Sequence, residues 1–208
     1  MNQAHQMDTF PRNHHTERLD LDVNVDGSPI VWIDCEMSGL NLSKDHIIEI
    51  ACVITDSDLN VITKMNQPIV VHHTKEFMDD MGDWCKHHHG TSGLTDLVIA
   101  STTTMTEAQE QLLTFIKRSV PMVGSAMLAG NSVHIDREFL LLDMPLIVDH
   151  LSYRIIDVST ITTLVKRWCS KAYCNRPVKH SRHRALDDIL ESIEELAYYK
   201  NFVFCSSV

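Results

Sequence analysis

An apolar run, Ile30-Val31-Trp32-Ile33, breaks into Asp34-Cys35-Glu36 with no turn residue between them. A short run of β-branched and aromatic residues reads as a buried strand. Side chains at i and i+2 of a strand share a face, so Asp34 and Glu36 project together from its end. Two such anions repel, and each loses hydration on burial. A divalent cation is the usual reason for a fold to tolerate that pair, and the chain must then supply further oxygen donors.

Other strands can be read around this one. Residues 46–55 form a second β-branched run, Asp56-Ser57-Asp58 is turn chemistry, and 59–64 returns as a third strand. Residues 69–72 suggest a further short extended piece. Phe77, Met78, Met81, Trp84 and Cys85 recur at helical spacing, predicting one helix over 75–89 that Gly90 ends. Thr106 is placed to cap a helix from 107 to about 119. Residues 127–130 read as a strand, and a helix capped by Asn131 or Ser132 follows. Residues 153–157 give another strand, Ser159 the cap of the next helix, and 170–181 a loop. Leu186, Ile189, Leu190, Ile193 and Leu196 form one stripe of a final helix over about 184–200. Antiparallel strands followed by strands alternating with helices indicate an α/β fold, a mixed sheet flanked by helices.

At 208 residues the chain is sized for one domain. We expect a mobile arm over 1–28, a single domain over 29–204 and a short tail over 205–208. The net charge of -10 argues against a long basic groove for duplex nucleic acid, though not against a short strand held locally. Six cysteines without a CxxC pair fit reduced thiols in an intracellular setting, cytoplasmic first, with mitochondrion and nucleus open. No stretch approaches ~20 apolar residues, so no membrane span is expected.

Three more candidates lie at element ends. Asp136 falls in the first turns of the helix after 127–130, His183 precedes the last helix, and Asp188 sits in its first turns. Such positions are where a mixed α/β sheet gathers functional side chains. Each residue alone has an ordinary role: surface carboxylate, helix-dipole partner, loop histidine. His87-His88-His89, near Cys85, invites a zinc reading, but no second ligand pair has zinc-site spacing. Cys35, between two candidate ligands, raises the question of oxidation sensitivity.

Together, DxE on the first strand, Asn131-Ser132-Val133-His134-Ile135-Asp136, and His183-x4-Asp188 resemble the three motifs of the DEDDh 3′-to-5′ exonucleases. Over residues 30–202 the chain is most similar to the oligoribonuclease branch of that family. The stretches 32–40, 83–90, 129–133, 153–160 and 183–188 carry the likeness, in the family's order. The resemblance implies an RNase H-like sheet of five strands, a homodimer, and degradation of short single-stranded RNA. It implies two divalent ions, Mg²⁺ or Mn²⁺, on Asp34, Glu36, Asp136 and Asp188, with His183 as general base. Substrate contacts carried over are Leu40 and Trp84 against bases, Ser132 on phosphate, and His89 near the substrate. Tyr153, Arg154 and Ser159 would reach across the dimer to the far end of the substrate. The alternatives are a DNA-trimming DEDDh exonuclease and a non-catalytic module that binds short nucleotides.

Overall fold

The computed structural model describes residues 27–178 and 184–204. The expected arm, apart from its last two residues, the tail 205–208 and His183 lie outside the described residues.

Among the described residues six strands make one mixed sheet: β1 (Ile30–Met37), β2 (Ile47–Thr55), β3 (Val61–Lys64), β4 (Ile69–Val70), β5 (Met127–Gly130) and β6 (Ile155–Asp157). The path β3-β2-β1-β5-β6 is the five-stranded arrangement expected, and β4 adds a short sixth strand on β2. β2 pairs antiparallel with β1, β3 and β4, whereas β5 is parallel to both β1 and β6. Every residue of β2 is buried, as its nearly unbroken apolar run requires of a strand covered on both faces.

The helices are α1 (Lys75–Asp79), α2 (Asp83–Thr91), α3 (Leu94–Ala100), α4 (Met105–Ser119), α5 (Val133–Asp143), α6 (Pro145–His150), α7 (Val158–Trp168), α8 (Ser170–Cys174) and α9 (Ala185–Tyr199). The single helix expected over 75–89 is two. Gly82 is the extended cap residue between them, and Met81 is buried without being helical. Gly90 does not stop α2, which runs on to Thr91. Thr104 rather than Thr106 caps α4, because only Thr104 has Glu107 at the third helical position to close a capping box. Asp157 rather than Ser159 caps α7 by accepting the Ser159 N–H. Ser132 does precede α5, but in a left-handed conformation with φ 58° and no side-chain cap.

The strand pleat sorts the core into two layers. Val31, Ile33 and Cys35 face a cluster built with Leu112 and Ile116 of α4 and Phe139 and Leu140 of α5. Ile30 and Trp32 face the other way, against Ala185, Ile189 and Ile193 of α9. Asp34 and Glu36 continue this second set, so the pleat delivers both carboxylates to the α9 side. Gly130 ends β5 where a Cβ would lie 2.9 Å from the Ile33 carbonyl oxygen, so only glycine fits that approach to β1.

Candidate active site

β1 is paired with β5 only through Trp32, which leaves its last turn of chain open on that side. The Cys35 N–H there is accepted by Asp136 Oδ1 at 2.9 Å, which pins the first turns of α5 to the strand between Asp34 and Glu36. From the opposite face α9 brings in Asp188. Carboxylate oxygens of Asp34, Glu36 and Asp188 all lie within 4.8 Å of one another, the one such group of potential metal ligands among the described residues.

This gathering is electrostatically costly. Burial, then Asp136, Glu36, Asp188 and Glu49, hold Asp34 well above the usual carboxylate range. Burial, followed by Asp188, Glu49 and Asp136, pushes Glu36 up to about 7. Burial likewise raises Asp136 to about 7, against the lowering effect of its hydrogen bond from Cys35. A donor set made only of carboxylate oxygens suits Mg²⁺ or Mn²⁺ better than zinc. Positive charge there would relieve the repulsion directly, so the residues fit the ions that the sequence implies.

Glu49 is a fifth acid that the sequence reading missed. It is 0 % exposed and lies in register with Glu36 across the β1–β2 pair. Its signal was visible, a lone acid inside the apolar run of residues 47–54. Cys35 is buried, and burial with Asp136 and Asp34 pushes its thiol well above the ordinary range. The thiolate that oxidation requires is therefore disfavoured.

The predicted substrate residues divide by exposure. Leu40 is 73 % exposed on the loop after β1. Asp45 braces that loop by accepting from the Ser38 hydroxyl at 3.0 Å and the Asn41 N–H at 2.9 Å. Trp84 is 59 % exposed, and its ring stacks on His88 with centroids 3.8 Å apart. Tyr153 is 78 % exposed, and its hydroxyl accepts from Arg154 Nε at 3.2 Å. His89 is instead buried, its Nε2 3.0 Å from the Met37 carbonyl oxygen, which ties α2 to the end of β1. Within the histidine triplet, His88 thus stacks on Trp84 while His89 turns inward to the end of β1. Ser132 and Ser159 meet at Asp157, whose Oδ1 accepts the Ser132 N–H at 2.9 Å and the Ser159 hydroxyl at 2.6 Å.

Carboxylates converging from a central strand and two helices suit a nuclease-type site, and the comparisons agree. The RNase_T exonuclease family model matches residues 31–196, and the chain belongs to that family. Within it the chain falls among the oligoribonucleases. A mitochondrial oligoribonuclease of Mus musculus is 50% identical over 175 residues, covering 84% of this chain and 73% of the relative. A probable oligoribonuclease of Dictyostelium discoideum is 47% identical over 198 residues, covering 95% and 100%. The oligoribonuclease of Rhodococcus jostii is 48% identical over 175 residues, covering 84% and 87%.

Among solved structures, a product-bound exonuclease I superposes with TM-score 0.60 at 15% identity, covering 84% of this chain and 43% of the other. An E. coli exonuclease I complex with single-stranded DNA gives TM-score 0.59 at 16% identity, covering 86% and 41%. The chain therefore spans about two fifths of those larger proteins, and at such identity the likeness concerns the fold alone.

Proposed function

We propose that this chain is a metal-dependent 3′-to-5′ exoribonuclease that hydrolyses short oligoribonucleotides to nucleoside 5′-monophosphates. The observation that carries the reading is the convergence of Asp34, Glu36 and Asp188 oxygens within 4.8 Å. Asp136 stands beside them, bound to the Cys35 N–H. These four side chains would hold two divalent ions, Mg²⁺ or Mn²⁺, which when bound supply positive charge against the phosphate and lower the pKa of water.

The chain's own residues do the rest. His183, an imidazole able to accept a proton near neutral pH, takes the proton of the attacking water. The water oxygen forms a new bond to phosphorus, and the bond from phosphorus to the 3′ oxygen of the preceding nucleotide breaks. That oxygen leaves with a proton taken from solvent water, His183 returns the proton it accepted to solvent, and the terminal nucleoside 5′-monophosphate is released.

Leu40 and Trp84 would wedge and stack the bases, a sequence-tolerant contact worth roughly 1–3 kcal/mol per base. Ser132 would contact the phosphate at the start of α5. In a homodimer, Tyr153, Arg154 and Ser159 of one protomer would meet the far end of the substrate held by the other. A cap of that kind restricts length, and it reconciles an acidic chain with nucleic-acid chemistry. We place the enzyme inside the cell, in cytoplasm, mitochondrion or nucleus. Several relatives are named mitochondrial, and no helix among the described residues is long and apolar enough to cross a membrane.

The test is product analysis with end-labelled RNA two to ten nucleotides long, with and without EDTA. Stepwise release of mononucleotides from the 3′ end, fastest on the shortest substrates and stopped by EDTA, is expected. Turnover that rises with length and ignores the 2′-hydroxyl would instead identify a DNA-trimming exonuclease. Dinucleotide binding without cleavage in Mn²⁺ would identify a binding module.

A further inference from the structure

Glu49 adds its charge to a cluster already crowded with anions, and it stands outside the group whose oxygens converge. Its contacts point elsewhere. The residue before α9 is Arg184, which has no acceptor in its side chain and makes no side-chain cap. A helix start has unsatisfied N–H groups and a partial positive charge. From the neighbouring strand, Glu49 Oε1 accepts the Ala185 N–H at 3.4 Å. Its Oε2 stands 3.5 Å from an Arg184 Nη2. Glu49 thus caps α9 from β2, and Arg184 neutralises the charge that does so.

The consequence lies one turn further on. Ala185 and Asp188 are three residues apart, so they occupy one helical face. Fixing Ala185 over β2 fixes the direction in which Asp188 leaves the helix, toward Asp34 and Glu36 on the adjacent strand. Resting on the nuclease reading above, we propose that Glu49, acting through Arg184 and the Ala185 N–H, is a positioning residue. It locks the first turn of α9 in the register that seats Asp188 in the acid cluster.

The experiment uses the full chain with Mn²⁺ and a 5′-phosphorylated diribonucleotide, and compares Glu49→Gln, Arg184→Gln and the double variant. Each single change is expected to lower kcat by about 10- to 100-fold, the usual cost of losing a partner that orients a ligand. KM should stay within about twofold, because the base and phosphate contacts are untouched. In the double variant the losses should not multiply, since both remove one interaction. Arg184→Lys, which keeps the charge, should recover part of the rate.

Mn²⁺ affinity, read by electron paramagnetic resonance, separates the explanations without relying on turnover. Anchoring weakens affinity in both single variants. A charge acting only through its field would weaken it in Glu49→Gln and strengthen it in Arg184→Gln, and that result would overturn the proposal. So would loss of a bound ion in Glu49→Gln alone, which would make Glu49 a ligand. A lower melting temperature in both variants with unchanged kcat would make the pair merely structural. If Glu49→Gln does not fold, the part-exposed Arg184 still decides, because unchanged kcat and Mn²⁺ affinity in Arg184→Gln would refute anchoring. Absence of cleavage by the unaltered chain would sink the nuclease reading instead, and the Mn²⁺ comparison would still settle the anchor.

Discussion

β1 and β6 both run parallel to β5, and both carry an aspartate near the end, yet Asp34 and Asp157 live in opposite environments. Burial pushes Asp157 up, but the Ser159 hydroxyl, His134 and the backbone N–H groups of Ser132 and Ser159 outweigh it. Its pKa ends below the usual value. Asp34 meets burial and four other acids, and all of them raise it. One carboxylate is completed by the protein, while the other awaits positive charge from outside. A carboxylate satisfied within the fold supports structure, and a group of them left in mutual repulsion marks where a cation and chemistry belong.

The sharpest way to break this contrast is to remove the acids in turn. Asp34→Ala or Asp188→Ala should abolish both Mn²⁺ binding and cleavage, read by metal titration and product analysis. His183→Ala should retain Mn²⁺ and slow hydrolysis by ~10²–10⁴-fold, the range for loss of a general base. If His183→Ala lost the metal as well, its assigned role would be wrong.

The pH response sharpens the same comparison. Raised carboxylates mean that folding takes up protons between their reference values, about pH 4, and the folded values near pH 7. The metal-free chain should therefore be most stable toward the acid side and lose stability as pH rises through that window. Mn²⁺, which needs the same groups deprotonated, should raise the melting temperature more at about pH 8 than at about pH 5.5. An equal rise at both values would contradict the raised carboxylates.

Smaller effects lie on the recognition side and at Asp157. Arg154→Ala should weaken binding of 5′-phosphorylated dinucleotides by about tenfold, the scale of one lost charge-assisted hydrogen bond. Normal binding would remove the cross-dimer cap. Asp157→Ala should cost about 1 kcal/mol through the α7 cap and leave the Mn²⁺ response intact.

How much of this was legible depended on whether a residue's role is local. Asp34, Glu36, Asp136 and Asp188 stand at element ends, and the strand and helix patterns that place those ends are local signals. Glu49 was not recognised because its partners, Arg184 and Ala185, lie far along the chain, and alternation within a strand does not name a partner. The break between α1 and α2 was hidden because Met81 is buried, so the apolar spacing looked continuous through a cap at Gly82. Trp84, read within that stripe, is in fact exposed. Caps were misplaced by two residues at α4 and α7, where neighbouring hydroxyls and acids compete: a reciprocal pair with Glu107 decides at α4, and the Asp157 carboxylate accepting the Ser159 N–H decides at α7. The stretch 170–181, read as a loop, instead begins with α8, and Arg176 just beyond it lies over the Tyr173 ring at 3.9 Å and pairs with Glu195.

The most direct measurement is anomalous diffraction from crystals soaked in Mn²⁺ with a nonhydrolysable dinucleotide. Two manganese peaks bounded by carboxylate oxygens of Asp34, Glu36, Asp136 and Asp188 are expected. Peaks elsewhere, or no peak among those four side chains, would contradict it.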